Sequence, residues 1–390
     1  MRLTHHRLIL RIPSPLKTLL SANQLWWRYY EKHKETMRTC VSDSMINILS
    51  CGTKLRGHKK YCCENEFCPH HKTVCHSCNC RTCPTCGKRA TDHWIAQLVE
   101  ILPDTPHQHI TFTMPDTLWA IFHDNRELLK DLQRMAAEVV LELAKERDVL
   151  PCIFTALHTF GRALNWNTHV HLSVTMGGLT SKDTWKSIRF YHNALMTKWR
   201  YKIITYLREK MHSGELSITN QHLDAEYSKH WIVHLAKPTK DSKRTVKYLG
   251  RYVKRAAIGM SRLLHYDGHT VKYRFLDHKT KKHKLTEIDA MAFLDLFTQH
   301  IPDKGFRMIR YYGALANRVR TKCLAKIYDL LNQTMEKPKI LSWAHSMYLS
   351  FGYNPMRCML CGGKMLLREI KFGVSFQKIK EQHYALATGG

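Results

Sequence analysis

The chain has 390 residues, 44% of them apolar, which is enough to bury a core and excludes a wholly disordered protein. Its 61 lysines and arginines outnumber 32 acids, a net charge of +29 that predicts a polyanionic partner, most simply nucleic acid. No segment approaches the ~20 uninterrupted apolar residues of a membrane span. Arg11, Pro13 and Pro15 break up the basic N-terminus and no secretory cleavage pattern follows, so the expected location is the cytoplasm.

In chain order, residues 1–50 read as helical, with an aromatic-rich stretch Leu25-Trp26-Trp27-Arg28-Tyr29-Tyr30 and a second segment at Val41–Leu49. Residues 51–93 form a Cys/His block without helical periodicity. His109–Met114 alternates like a strand and stops at Pro115. Apolar residues at helical spacing then mark a helix over Asn125–Arg147. Strands are expected at Cys152–Phe160 and Thr168–Met176, a helix at 184–211 and another strand at Trp231–Leu235. Lys247–Ile258 reads as a basic helix. Beyond it come a strand at Thr270–Phe275, helices near 287–300 and 314–336, and a late Cys358-x2-Cys361.

Ten of the 14 cysteines lie between Cys40 and Cys86. A disulfide framework belongs in a small secreted chain, so metal-bound thiolates fit this long, unsignalled one better. The core of the block is Cys63, Cys68, Cys75, Cys78, Cys83 and Cys86, whose short spacings suit knuckles around structural zinc. With Cys51, Cys62, Cys80, His70 and His71 nearby, the donors exceed one site and suffice for two. Cys358-Cys361 is half of a ribbon with no evident second half.

Two further motifs carry chemistry. His169-Val170-His171 lies in a strand, where alternation sends both imidazoles to one face as a divalent-metal pair awaiting a third ligand. His158, on the preceding strand, qualifies only if the pairing register brings it to that face, and a Gln, Asp or Glu elsewhere in the chain qualifies equally. Tyr248-Leu249-Gly250-Arg251-Tyr252 reads as helix, which stacks the two tyrosines at i and i+4 among Lys247, Arg251, Lys254 and Arg255. A tyrosine hydroxyl can form a covalent phosphodiester once deprotonated.

The order of cysteine block, His-x-His strand and Tyr-Leu-x-Arg-Tyr helix resembles the two-tyrosine HUH transposases of rolling-circle insertion sequences. Leu157–Arg162, Gly177-Gly178-Leu179 and Gly305-Phe306-x-x-Ile309-Arg310-x-Tyr312-Gly313 extend the resemblance over roughly residues 50–365. The chain departs from the family pattern in its extra thiols and in Thr168, which stands where Pro is expected. The resemblance implies an α+β fold, a palm-like antiparallel HUH sheet with helices behind a small zinc-binding domain. The implied division is an N-terminal helical segment (1–50), a zinc-binding domain (51–93), the HUH domain (94–260) and a C-terminal DNA-contacting region (261–390). The resemblance further implies that Tyr248 and Tyr252 are nucleophiles on single-stranded DNA and that His169 and His171 hold Mg²⁺ or Mn²⁺ with a third ligand. By coordination chemistry alone, paired imidazoles favour a later transition metal.

Lys247, Arg251, Lys254, Arg255, Arg307 and Arg310 are the expected phosphate contacts, and the location implied is the bacterial cytoplasm and nucleoid. Trp26, Trp27, Tyr29 and Tyr30 are either core or a stacking surface for unpaired bases. Three other functions stay open at this point: a rolling-circle replication initiator or relaxase, a hydrolytic metal nuclease, and a non-catalytic zinc-containing DNA-binding regulator.

Overall fold

The computed structural model describes residues 14–239, 246, 250, 257–277, 280–336 and 340–387. Tyr248, Tyr252, Lys247, Arg251, Lys254 and Arg255 lie outside them. The N-terminal segment forms helices α1 (Pro15–Ser21), α2 (Leu25–His33) and α3 (Thr39–Ser50). The cysteine block contributes strands β1 (Gly57–Cys63) and β2 (His71–Cys75), then helix α4 (Pro84–Ile101). Pro84 suits the first turn of α4, where its missing N–H has no helical acceptor to lose.

Strand β3 (His107–Phe112), helices α5 (Trp119–Asp124) and α6 (Leu129–Lys145), and strands β4 (Leu150–Phe160), β5 (Trp166–Leu179) and β6 (Trp185–Ser187) follow. Next come α7 (His192–His212), α8 (Asn220–Ser228) and β7 (Val233–Leu235). After the tyrosine segment lie β8 (Leu263–Tyr266), β9 (Thr270–Leu276), β10 (His283–Asp289) and α9 (Ala290–Thr298). The chain continues through β11 (Ile309–Gly313), α10 (Arg320–Leu330), α11 (Trp343–Phe351), β12 (Met365–Phe372) and α12 (Phe376–Ala387). The architecture is α+β, and every pair within its three sheets is antiparallel.

The central sheet has the order β11-β4-β5-β3-β7, with β6 paired to β5. Period-two alternation sends Ile110, Phe112, Ile153, Leu157, Val170, Leu172 and Val174 to one face, all buried against α6 and α7. Helix α6 answers with Leu129, Leu132, Met135, Ala136, Val139 and Val140, spaced to line one stripe. The opposite face carries the histidines.

The expected helix at 184–211 begins only at His192. Its first residues, Trp185–Ser187, instead pair with Gly177–Leu179. The ring of Trp185 lies on Gly177, where a Cβ would come within 2.6 Å of Cζ2. The tight turn between the strands is held by Thr180 Oγ1 and Thr184 Oγ1 at 2.7 Å.

The C-terminal third is shared among all parts of the molecule. Strand β11 joins the central sheet, and β12 pairs with β1 in the sheet β12-β1-β2. Segment 257–301 packs with α1–α3 in a second core that includes Leu16, Leu20, Trp26, Tyr273, Phe293 and Phe297. Of the aromatic stretch, Trp26 and Tyr29 are buried in this core and Tyr30 stacks on Tyr384, so these rings pack the fold.

Tyr29 fastens α2 to α9: its hydroxyl donates to Asp295 Oδ1 at 2.8 Å and lies 3.2 Å from Thr298 Oγ1. Tyr29→Phe should lower stability by about 1 kcal/mol, read from the shift in denaturation midpoint at unchanged slope.

Candidate functional site

The pairing of β4 with β5 sets His158 directly across from His169 and Ala156 across from His171. Because neighbours across a sheet share a face, the three imidazoles converge. One nitrogen from each of His158, His169 and His171 lies within 4.8 Å of the others, and His169 Nε2 is 3.1 Å from His171 Nε2. Two imidazoles in neighbouring positions on an ion at about 2.1 Å would be about 3.0–3.4 Å apart, so the spacing fits. His158 is therefore the third member that the sequence left conditional on register.

The outward nitrogens have partners that fix the rings. His169 Nδ1 is 2.8 Å from the carbonyl of Asn167, which requires a proton on Nδ1 and leaves the Nε2 lone pair free for a ligand role. His171 Nδ1 is 2.9 Å from His109 Nε2 on β3, and the two rings stack with centroids 5.1 Å apart. Burial pushes His109 and His169 down to about 4, with His234 and then His169 as the nearby charges acting on His109. Burial, followed by the charges of His158, His169 and His109, also lowers His171. These imidazoles are neutral near pH 7, as metal ligation requires.

The same sheet face carries Phe154 and Ala156, which share a buried cluster with Trp94 of α4 and with Val246. Val246 and Gly250 both have helical backbone. A Cβ on Gly250 would meet Ile95 Cγ1 at 2.2 Å and Trp94 Cζ3 at 3.3 Å, so only glycine permits this approach. Gly250 is thus seated directly on α4, and Val246 shares the cluster that α4 helps to form.

The thiols resolve into two quartets. Cys51, Cys78, Cys83 and Cys86 form one, and Cys63, Cys68, Cys358 and Cys361 the other. Cys51 comes from the C-terminal end of α3, and Cys83 and Cys86 from the start of α4. The second quartet depends on the β1–β12 pairing, which supplies the missing half of the Cys358-Cys361 ribbon. Cys75 belongs to neither quartet; it sits on β2 opposite His58, and Cys51 takes the position expected of it.

The quartets fit zinc. Sulfurs at about 2.3 Å in a tetrahedron lie about 3.8 Å apart, and Cys51–Cys86, Cys78–Cys86 and Cys68–Cys358 are at 3.7, 3.6 and 3.7 Å. The backbone N–H groups of Cys78 and Cys80 point at Cys51 Sγ and Cys78 Sγ, both at 3.4 Å. Hydrogen bonds from Cys78, Cys83 and Cys86 pull the Cys51 thiol far below its ordinary value, so the thiolate form is favoured there. His70 Nδ1 lies 3.0 Å from Cys358 Sγ at the edge of the second quartet. All four donors of each set are thiols, which leaves a filled site no open position for chemistry.

Of the expected DNA contacts within the described residues, Arg307 is exposed on the loop before β11. Arg310 shares a face with Tyr312, on the α6 side of the sheet. No described helix is long and apolar enough to cross a membrane.

Comparison with known proteins agrees with this arrangement. Residues 22–114 match the family described as a transposase zinc-binding domain, and residues 152–323 match one described as a putative transposase. The chain is 40% identical to the transposase for insertion sequence element IS801 of Pseudomonas savastanoi pv. phaseolicola, over 96% of this chain and 94% of that one. The chain belongs to the IS91-type family of insertion-sequence transposases. It is also 28% identical to the putative transposase y4qJ of Sinorhizobium fredii (strain NBRC 101917 / NGR234), over 79% of this chain and 83% of that protein. No solved structure matches. The zinc-binding match ends at residue 114, so its boundaries miss the two C-terminal thiols that complete the second quartet.

Elemental analysis of the purified transposase should find two zinc ions per chain. The Cys358→Ser/Cys361→Ser double variant should fall to one while keeping the quartet at α4, because each quartet draws on its own four thiols.

Proposed function

We propose that this transposase nicks and rejoins single-stranded DNA at the ends of its insertion sequence through a 5′-phosphotyrosine, in rolling-circle transposition. The observation that carries the reading is the cluster of His158, His169 and His171 on the sheet face where α4 anchors Val246 and Gly250. Tyr248 and Tyr252 stand two residues to either side of Gly250 in the sequence. Mg²⁺ or Mn²⁺ held by the three imidazoles would polarise the scissile phosphate and offset the charge that develops on it.

The protein's part is to deliver the nucleophile and hold the strand. A tyrosine oxygen bonds to phosphorus, the bond from phosphorus to the 3′-oxygen breaks, and the tyrosine proton ends on that oxygen. The phosphotyrosine keeps the reactivity of the phosphodiester, so a free 3′-hydroxyl can reverse the step without a nucleotide cofactor. With two tyrosines, one can cut a second strand while the other stays loaded. Lys247, Arg251, Lys254, Arg255 and Arg307 are proposed to contact phosphates, which makes binding fall steeply with salt. The net charge of +29 supports such a contact set, and action on the bacterial nucleoid follows from the same reading.

Labelled single strands from the DNA flanking the gene, incubated with Mn²⁺ and run on a denaturing gel, test the chemistry. A protein-linked band is expected that vanishes in Tyr248→Phe/Tyr252→Phe. Cut strands without an adduct would establish a hydrolytic nuclease instead, and binding without cutting would favour a regulator.

The hydrogen bond between His171 Nδ1 and His109 Nε2, in which a ligating His171 donates, has a separate consequence, since partners of this kind orient metal-ligating imidazoles. His109→Ala should weaken Mn²⁺ binding about 10- to 100-fold, measured by titration of the zinc-loaded protein, with His109→Gln recovering part of the loss.

A further inference from the structure

A cavity of about 540 Å³ opens beside the histidine face, between the first zinc quartet and the leading edge of β11. Its walls come from two places far apart in sequence. The loop Cys80-Arg81-Thr82, between quartet ligands Cys78 and Cys83, forms one side. Phe306, Arg307 and Ile309, from the Gly305–Gly313 motif, form the other. Trp94 and Tyr311 line it as a fixed pair, with Trp94 Nε1 donating to Tyr311 Oη at 2.8 Å.

The charge of this cavity is unbalanced. Arg81 is half-buried, and among the described residues its guanidinium makes one hydrogen bond, from Nη1 to the Phe306 carbonyl at 3.3 Å. The other guanidinium N–H groups have no protein acceptor there. Arg307 adds a second cation. Asp303 is the one acid among the described lining residues, and Arg38 Nη1 engages it at 2.7 Å from outside the cavity wall. Flat aromatic walls with an arginine fork and little opposing charge suit a ligand that is both planar and rich in acceptors.

Position narrows the ligand further. Ile309 pairs with Ala156, and Ala156 pairs with His171, so the cavity edge lies one strand from the strand of His158 and two from that of His169 and His171. Two strand spacings amount to about 10 Å, within reach of a nucleotide or two along a strand. The volume falls in the ordinary range of small-ligand sites, about 300–1,000 Å³.

We infer that this cavity takes one unstacked base of the single strand, close to the phosphate that is cut, and that Arg81 and Phe306 read it. This inference rests on the single-strand cleavage proposed above. It assigns the first zinc quartet a second role, because the loop closing one side of the base site is held at both ends by zinc ligands. It also gives a purpose to the Gly305–Gly313 motif, which the histidines and tyrosines do not use.

The test uses the full zinc-loaded chain carrying Tyr248→Phe/Tyr252→Phe, so that binding is measured without cleavage. Single-stranded oligonucleotides from the element's ends are made with one abasic site at each position in turn, and affinity is read by fluorescence anisotropy. One position near the cut is expected to weaken binding about 5- to 150-fold when its base is removed, the range for loss of a stacked base. Adding Phe306→Ala should abolish that penalty, and Arg81→Ala should reduce it. Zinc content measured on each variant separates a misfolded Arg81 variant from an informative one, and Phe306 lies outside both quartets. 5-Bromodeoxyuridine at the sensitive position should cross-link to peptides holding Phe306 or Trp94.

A flat abasic profile, or a penalty unchanged by Phe306→Ala, overturns the base site. If the wild-type chain still forms a tyrosine adduct on the same strands, the cleavage reading survives that result. Failure to bind single strands at all sinks both.

Discussion

The register between β4 and β5 is the constraint on which the histidine face depends. A slip of one residue in an antiparallel pair sends every side chain on the moved strand to the other face. Here the slip would carry His158 into the layer occupied by Leu157 and bring Leu157 out to His169. The register is held against this by the apolar residues alternating with the histidines, since Leu157, Val170 and Leu172 are fully buried against α6 and α7. Burying such a side chain contributes about 1.5–3 kcal/mol, and exposing several at once would exceed the net stability of most domains. The histidine cluster is therefore specified by residues that are not part of it. Its histidines occupy the positions left over once the core has chosen its face.

Much of this was legible in the sequence because it is local. His169-Val170-His171 is a two-residue period within one strand, and the helix at α6 is an apolar stripe within one helix. What depended on pairing between distant segments was not legible. His158 reaches the cluster only through the hairpin register, and no spacing in the sequence reveals it. The half-ribbon Cys358-Cys361 meets Cys63 across 298 residues, through a strand, β12, that the sequence did not suggest. Cys75 has the right spacing from Cys78 for a knuckle, yet β2 carries it into the pairing with β1 and away from both quartets. Cys51 was one thiol among several until α3 ended beside α4. Trp185–Ser187 reads as the start of a helix, and only the open surface over Gly177 explains why it pairs as a strand.

Helix α4 joins the parts that sequence reading separates. Its first turn holds Cys86, with Cys83 at its N-cap, so the quartet with Cys51 and Cys78 sets where the helix begins and how it leaves the zinc lobe. Two turns further on, Trp94 packs edge-on against Phe154 of the central sheet and Ile95 meets Gly250. A helix is stiff over this length, and a shift at its first turn is transmitted to Trp94 and Ile95. The zinc quartet thus fixes, through one rigid element, the surface on which Gly250 is seated.

This coupling bears on why a chain with a large apolar core needs metal at all. The central sheet buries enough side chains to fold without help, as its extensive core with α6 and α7 indicates. The zinc lobe is different: among the described residues only Tyr61, Cys63, Cys358 and Met365 are buried around the second quartet, with Cys68, Val74 and Met356 partly so, too few to hold β12 against β1 by apolar burial alone. Where the core is that small, thiolate–metal bonds supply the organising energy and also bind distant segments of the chain to each other. The first quartet sits where α3, α4 and the loop at Arg81 meet, beside the histidine face. Metal is thus used where the fold must be exact but cannot be thick.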